Sequence, residues 1–280
     1  MSERARRLWR LAPLLLVIML AVAWLVPGVS WLDLAAPDAS VADRMTATLD
    51  ALDEEPRILV GFDADIGTYA ETRPTVRAML ADLLARDARL AFVSLTAEGR
   101  ALVSAELARL DREEANPARL LDLGFIPGAE AGLVDLTRLI RVPDVGDHAF
   151  AREVEATGIG TFDAVLVIGG NDLGPRSWIE QVAPRIGDIP FFAVTPTVLL
   201  PEVQPYLATG SLQAVLGTPR DGAAYRETLS LGNLERLTDA IEPRPLPVLV
   251  GMLVAVAVLG QALGTRAIGE LRAARSREPG

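Results

Sequence analysis

Two long apolar stretches lie near the ends of the chain, and a segment of mixed polar and apolar residues separates them. No residue is charged between Arg10 and Asp33, or between Arg244 and Arg266. A helix rises about 1.5 Å per residue, so each stretch is long enough to cross a hydrocarbon core of about 30 Å. The pattern therefore predicts two transmembrane helices, at residues 11–32 and 244–265.

Charged residues are divided unequally around these stretches. Arginines dominate both terminal segments, whereas 34 of the 37 acidic residues fall between residues 33 and 243. Positively charged flanks remain in the cytoplasm. We therefore expect a protein that crosses the lipid bilayer of the cytoplasmic membrane twice. It would have cytoplasmic basic tails at 1–10 and 266–280 and an extracytoplasmic domain at 33–243.

The first apolar stretch also fits a cleaved signal peptide, because Ala-Val-Ala at 21–23 matches the cleavage pattern. The apolar sequence continues beyond that point to Leu32 and includes Trp24 and Trp31. Tryptophan is enriched where a transmembrane helix meets the membrane surface. We therefore favour a retained helix over a cleaved leader.

Between the two stretches, short apolar runs alternate with longer segments of helical periodicity. This order is typical of a parallel sheet with helices on both faces. Strands are predicted at residues 57–62, 90–95, 120–125, 162–168, 190–195 and 212–216. Helices are predicted at residues 40–53, 97–114, 130–140, 148–156, 175–187, 198–208, 220–231 and 233–241. We therefore predict a three-layer, Rossmann-like α/β domain with a mostly parallel sheet of about six strands.

The helix after the first strand has two possible starts. Thr68 with Glu71 forms a capping box, whereas Thr72 as the cap places Pro74 in the first turn, where its missing N–H matters little. We favour Thr72, because a start at Thr68 would place the proline inside the helix. Residues 63–71 would then form a loop.

Ligands of open parallel sheets bind beyond the carboxyl ends of the strands, where the strand order reverses. The residues that follow the predicted strands at that edge, and that we predict to bind a ligand, are Asp63, Asp65, Thr96, Gly169, Gly170, Asn171, Asp172 and Thr195. With the strand order 3-2-1-4-5-6, the carboxylates of Asp63, Asp65 and Asp172 would face each other. Such a group would suit Mg²⁺ or Ca²⁺. Alternatively, Asp63 and Asp172 cap helices or turns and Asp65 is solvated.

The segment at 169–174 (GGNDLG) precedes a predicted helix and superficially resembles a phosphate-binding turn. Its spacing departs from G-x-G-x-x-G, and Asp172 would repel a phosphate. An ordinary turn between a strand and a helix is the better interpretation.

Composition excludes several kinds of chemistry. The chain has no cysteine and no lysine, and His148 is its only histidine. Thiolate and lysine nucleophiles, histidine metal clusters and most Ser-His triads are therefore ruled out. The formal net charge of −10 and the lack of a basic run also argue against binding to nucleic acid. The acidic domain favours a partner surface that is basic or bridged by cations.

The apolar run that ends in Asp63-Ala-Asp65 resembles the first motif of the haloacid dehalogenase phosphatases. The resemblance implies a Mg²⁺-dependent hydrolase, with Asp63 as nucleophile and Asp65 as acid/base. In it, Ser94 or Thr96 would supply the second motif and Asp172 an acidic metal ligand. The sequence departs from the family because glycine replaces the motif's threonine and no lysine is present to neutralise a phosphoryl group.

The order of segments also resembles an uncharacterised family of bacterial membrane proteins, in which a Rossmann-like extracytoplasmic domain lies between two transmembrane helices. The stretches that carry this likeness are Gly61-Phe62-Asp63, Leu123-Gly-Phe-Ile-Pro-Gly128, Pro205-Tyr206 and Gly222-Ala-Ala-Tyr225. The resemblance implies the fold and its setting, but it implies no activity.

These observations lead to one expected function and one alternative. We expect a non-catalytic, membrane-anchored domain that binds a partner protein or a small ligand within a membrane assembly. Gly260 and Gly264 follow the small-xxx-small pattern, which would let the second membrane helix pack against Ala21 and Ala23 of the first one or against another copy of the chain. We expect the partner to be a membrane protein or another copy of the chain. The alternative is the Mg²⁺-dependent hydrolase that uses Asp63 and Asp65.

Overall fold

The computed structural model describes residues 39–143 and 145–229. The predicted transmembrane helices at 11–32 and 244–265, both basic tails and the predicted helix at 233–241 lie outside these residues. Within the described part of the chain, no helix combines the length and the apolar character needed to cross a bilayer.

Six strands form one sheet in which every neighbouring pair is parallel. The strands are Arg57–Asp63 (β1), Arg89–Ser94 (β2), Leu120–Phe125 (β3), Ala164–Gly169 (β4), Phe191–Val194 (β5) and Ala214–Leu216 (β6). Their order is β3-β2-β1-β4-β5-β6, so the order reverses between β1 and β4. The six predicted strands and the Rossmann-like α/β class are confirmed.

Helices connect the strands and lie on both faces of the sheet. The α-helices of the described residues are Ala39–Asp50 (α1), Ile66–Ala85 (α2), Ala97–Arg112 (α3), Glu130–Arg138 (α4), Ala149–Thr157 (α5), Pro175–Gln181 (α6), Ala183–Ile186 (α7), Leu200–Thr209 (α8) and Pro219–Thr228 (α9). Short 3-10 turns occupy Pro117–Arg119, Gly158–Thr161 and Thr197–Leu199. The predicted helix at 175–187 is divided at Val182, because Pro184 has no N–H to continue the helical hydrogen bonds.

The predicted start of the helix after β1 is wrong. The helix begins at Ile66, and Asp65 caps it by accepting a hydrogen bond from the N–H of Thr68 at 2.8 Å. The predicted loop at 63–71 is therefore mostly helical, and neither Thr68 nor Thr72 is the cap.

The reason lies in contacts that the local sequence does not reveal. Pro74 inside α2 removes the hydrogen bond to the carbonyl of Ala70, but Ala70 is exposed, so water can satisfy that carbonyl. One residue earlier, Tyr69 packs against Phe62 with ring centroids 5.4 Å apart, and its hydroxyl donates to Glu106 at 2.7 Å. These buried contacts stabilise the first turns of α2 and offset the cost of the proline.

Alternate side chains of each strand point to opposite faces of the sheet. On β1, Ile58, Val60 and Phe62 enter a core formed with α1, α2, α3 and α9. The side chain between the first two, Leu59, enters a second core formed with α4, α5, α6 and α8. The sheet is thus the middle of three layers, and its carboxyl edge is where the candidate site residues lie.

Candidate functional site at the carboxyl edge of the sheet

Asp63, the last residue of β1, is completely buried at this edge. One carboxylate oxygen accepts hydrogen bonds from the N–H of Leu95 at 2.6 Å and the hydroxyl of Ser94 at 3.1 Å. The other accepts from the indole N–H of Trp178 at 3.2 Å. The side chain therefore joins the end of β1 to the segment after β2 and to α6.

The electrostatics of Asp63 follow from this burial. Loss of contact with water raises the pKa of Asp63 from its ordinary 3.8 to about 6, because burial disfavours the charged form. The donors around it, which are backbone N–H groups, the Ser94 hydroxyl and the Trp178 indole, lower the pKa and offset part of that rise. All of them are uncharged, so no donor supplies a compensating positive charge.

Trp178 is a member of this cluster that the sequence analysis did not identify. Its ring reaches Asp63 because Gly61 in β1 has no side chain: an added Cβ atom would lie 2.3 Å from the ring. A glycine inside an otherwise apolar strand often marks such a close approach. That glycine was the one signal in the sequence for a large side chain packed on β1.

Asp65 and Thr96 each cap a helix. Asp65 caps α2 as described above, and the hydroxyl of Thr96 accepts the N–H of Gly99 at 3.0 Å in the first turn of α3. Both side chains are partly buried. An oxygen of each is therefore used to satisfy a backbone N–H that the helix itself leaves without a partner.

The segment after β4 forms a turn that is stabilised by hydrogen bonds between its own residues. The side-chain oxygen of Asn171 accepts the N–H of Leu173 at 2.9 Å, and its backbone carbonyl accepts the N–H of Gly174 at 2.9 Å. The buried hydroxyl of Thr195 donates to the carbonyl of Gly169 at 2.9 Å and ties this turn to β5. These contacts describe an ordinary connection between a strand and a helix.

The crevice between β1 and β4 is occupied by the protein itself. A Cβ atom added to Gly170 would lie 2.0 Å from the hydroxyl oxygen of Thr68, which shows that the first turn of α2 rests directly on the turn after β4. The backbone N–H of Gly170 also donates to the carbonyl of Asp63 at 3.3 Å. The place where open sheets commonly receive a ligand is thus filled by Thr68.

The three candidate carboxylates serve different surroundings. Asp63 is buried, Asp65 caps a helix, and Asp172 is exposed, with its backbone carbonyl accepting the hydroxyl of Ser177 at 2.7 Å. Among residues 39–143 and 145–229, no three aspartate, glutamate or histidine side chains are grouped so that they could hold a metal ion. The structure therefore does not bring these carboxylates together into a cation site, which was one of the two interpretations of the sequence.

This arrangement also bears on the hydrolase alternative. A nucleophile must reach its substrate, but the carboxylate of Asp63 is enclosed by Ser94, Leu95 and Trp178. The oxygen of Asp65 that caps α2 is already bonded to the N–H of Thr68. In this conformation both side chains are hydrogen-bonded within the fold, and the carboxylate of Asp63 is not accessible.

The remaining polar groups at the edge also bond within the domain. Glu71 accepts the hydroxyl and the N–H of Thr197 at 2.8 and 3.2 Å, and Thr218 and Asp221 form a capping box at the start of α9. Away from the edge, His148 caps α5: its Nδ1 accepts the N–H of Ala151 at 3.3 Å.

The sequence analysis also missed a buried ionic cluster formed by side chains of α2 and α3. Glu106 accepts hydrogen bonds from Tyr69, Arg77 and Arg109 at 2.7, 3.0 and 2.6 Å. Burial alone would raise the pKa of Glu106, but the hydrogen bonds from these three residues outweigh it and hold the pKa below its ordinary value. Glutamate and arginine spaced along two amphipathic helices give no sequence signal that distinguishes this cluster from surface charges.

Comparison with known proteins identifies no relative: no protein-family model matches the chain, and no curated protein matches it. Membership of the uncharacterised family of bacterial membrane proteins stays a prediction.

Proposed function

We propose that this protein is a membrane-anchored, non-catalytic binding protein. Its Rossmann-like domain binds a partner protein or a small ligand outside the cytoplasmic membrane, as part of a membrane assembly. The observation that supports the proposal best is that the side chains of Asp63, Asp65 and Thr96 at the carboxyl edge are used in hydrogen bonds within the domain.

Each of the usual routes to catalysis at this edge meets a physical obstacle. Asp63 is buried and enclosed by uncharged donors, and Asp65 and Thr96 cap helices. The chain has no thiol and no lysine, and its single histidine, His148, caps α5. A rigid edge of this kind suits a scaffold that presents a surface better than it suits an enzyme.

The membrane setting is supported by the sequence. Each of the two uncharged apolar stretches is long enough to span the hydrocarbon core, and arginine-rich segments lie on their outer sides. We expect fusions of alkaline phosphatase after residue 229 to be active and fusions of a fluorescent protein after residue 280 to be bright. The reverse pattern of activity and fluorescence would place the domain in the cytoplasm and would refute this part of the proposal.

Binding can be tested with the full-length chain. Cells that express the tagged protein are treated with a chemical cross-linker before the membrane is solubilised, and the purified complex is analysed by mass spectrometry. We expect a defined partner protein or small molecule in constant ratio to the chain. Recovery of the chain alone, both with and without cross-linking, would refute the proposal.

A Mg²⁺ titration separates the proposal from the hydrolase alternative. Under the proposal, millimolar Mg²⁺ leaves the unfolding temperature of the chain unchanged. A stabilisation by Mg²⁺ that is lost in Asp63→Asn and Asp65→Asn, but kept in the exposed control Asp188→Ala, would instead support a cation-dependent active site at Asp63 and Asp65.

A further inference from the structure

An open groove lies beside the edge strand β3 and forms a surface distinct from the site described above. It has a volume of about 560 Å³ and lies between the carboxyl end of β3 and α4. Phe125, Ile126, Leu136 and Leu139 form its apolar wall, and Arg138 and Arg141 stand on its rim. We call this surface the β3 groove.

Two exposed apolar side chains line this groove. Phe125 is 47% exposed and Leu139 is 55% exposed, and these are two of the four large apolar side chains found exposed among the described residues. Single exposed apolar residues are common, but a patch that lines a cavity is typical of an interaction surface.

Phe125 lies beyond an irregularity in β3 and is left uncovered. Leu121 and Leu123 precede it, and both are at least 95% buried in the core. The register shift between Phe92 and Val93 interrupts this alternation, and Phe125, which pairs with Ser94, is covered by no described element. Covering it would remove further apolar surface from water, which is favourable. Burial of this apolar surface would therefore contribute to the binding free energy of a partner that occupies the groove.

The edge of β3 is poorly suited to pairing with an added strand. The pairing of β3 with β2 shifts in register between Phe92 and Val93, and the N–H of Gly124 is bound at 2.9 Å by the carboxylate of Asp122. A bulge of this kind interrupts the regular ladder that a new strand would extend. An occupant would therefore contact the groove through its side chains.

The charged side chains of the groove indicate which charge an occupant would carry. Arg138 and Arg141 are exposed, whereas Asp135 is the one acidic side chain on its lining. Arg138 is 3.5 Å from Asp135, but both side chains are 73% exposed, and an exposed pair of this kind contributes little and exchanges readily. Two arginines and one aspartate give the lining a net charge of +1, whereas the chain as a whole carries −10.

We infer that the β3 groove docks a segment of a partner protein that carries apolar anchor residues flanked by aspartate or glutamate. A small molecule fits less well, because small-ligand sites bury most of the ligand surface whereas this groove is open to solvent. The inference rests on the proposed function, since it names the surface and the chemistry of the partner for the same binding protein.

The test uses the full-length chain in a lipid nanodisc and a displayed library of random short peptides. The most enriched peptide is then synthesised with a fluorescent label, and its Kd is measured by fluorescence anisotropy. We expect enriched peptides to combine leucine or phenylalanine with flanking acidic residues. We expect Leu139→Asp to raise the Kd by about tenfold or more, as for an apolar anchor of an interface, and Arg141→Glu to raise it as well.

The matched control is Val198→Asp, because Val198 is 72% exposed and does not line the groove. It introduces the same charge at an exposed apolar position, and it should leave the Kd unchanged. The variants keep their fold if their circular dichroism matches that of the original chain. No enrichment above the background of the display, or a Kd that Leu139→Asp does not change, overturns the inference.

The same variants separate failure of this inference from failure of the proposed function. If the cross-linked partner of the full-length chain is recovered equally with Leu139→Asp, the binding function stands and the groove is not its site. If no partner is recovered with the unaltered chain, the proposed function itself fails.

Discussion

The clearest consequence of the structure is an unusual dependence of stability on pH at Asp63. Its carboxyl group has a pKa of about 6 in the folded domain, against 3.8 when it is solvated. For an acid with a raised pKa, folding favours the protonated form. The stabilising contribution is therefore fully present below about pH 4 and is lost as the pH rises through 6.

The size of the effect follows from the shift. A difference of about 2 pH units at about 1.4 kcal/mol per unit gives about 3 kcal/mol over the full range. Roughly half of this change should fall between pH 5 and pH 8. That window also lies above the isoelectric point of the chain, which is about 4.8. At the isoelectric point itself, the low net charge would favour precipitation.

The perturbation is Asp63→Asn, which removes the titration but keeps the shape. The asparagine can still accept from Leu95 and Ser94, but its amide group would face the indole N–H of Trp178, which is also a donor. The loss of that hydrogen bond is the same at every pH. The change with pH in the difference between the two proteins therefore reports the charge of Asp63 alone.

The measurement is urea unfolding of both proteins at several pH values, followed by circular dichroism. The free energy of unfolding of the original chain, minus that of Asp63→Asn, should fall as the pH rises from 5 to 8. The exposed control Asp172→Asn should give a difference that does not change with pH. A difference for Asp63→Asn that is flat, or that grows with pH, would refute the assignment of Asp63 as a buried acid without a positive partner.

Three further predictions concern the stability of the fold. Gly61→Ala places a methyl group 2.3 Å from the ring of Trp178 and should lower the free energy of unfolding by about 1 to 3 kcal/mol, as measured by urea unfolding. Asp65→Ala removes the cap of α2 and should cost about 1 kcal/mol, whereas Asp65→Asn, which can still cap, should cost much less. Glu106→Gln should cost about 2 kcal/mol at pH 7 by weakening hydrogen bonds to two arginines. Because the pKa of Glu106 is lowered, that cost should shrink as the pH falls below the ordinary range of a glutamate. An unchanged urea midpoint in Gly61→Ala, Asp65→Ala or Glu106→Gln would contradict the corresponding contact.

The strands were predictable because their surroundings leave a strong mark on the sequence. β1 and β4 are covered by helices on both faces, so Ile58–Phe62 and Ala164–Ile168 are nearly continuous apolar runs. The strand order 3-2-1-4-5-6 was a supposition taken from the usual arrangement of such sheets, and the structure has this order. Local composition was sufficient at these positions because the environment of each residue is uniform along the strand.

The start of α2 was not predictable in the same way. The rule that proline avoids the interior of a helix is sound locally, and it led to a start at Thr72. The contacts that overrule it come from Phe62 and Glu106, which lie outside the helix. The local preference of proline for the first turn of a helix was therefore outweighed by tertiary contacts, which exist only in the folded domain.

The role of Asp63 shows the same limit at the candidate site. Its position after an apolar strand placed it correctly at the carboxyl edge, but its burial depends on Trp178, which lies 115 residues further along the chain. The sequence could therefore predict where the carboxylate lies, but not whether it meets water or an indole ring.

Polar residues at the carboxyl edge of a parallel sheet are weak evidence for a binding site, for a general physical reason. A helix begins soon after each strand, and its first N–H groups need an acceptor whether or not a ligand binds. Asp65, Thr96 and Thr218 meet that need here. Uncovered apolar surface is different, because no requirement of the fold explains it and burying it would stabilise the domain. Phe125 and Leu139 are therefore a stronger indication of function than the carboxylates that first attract attention.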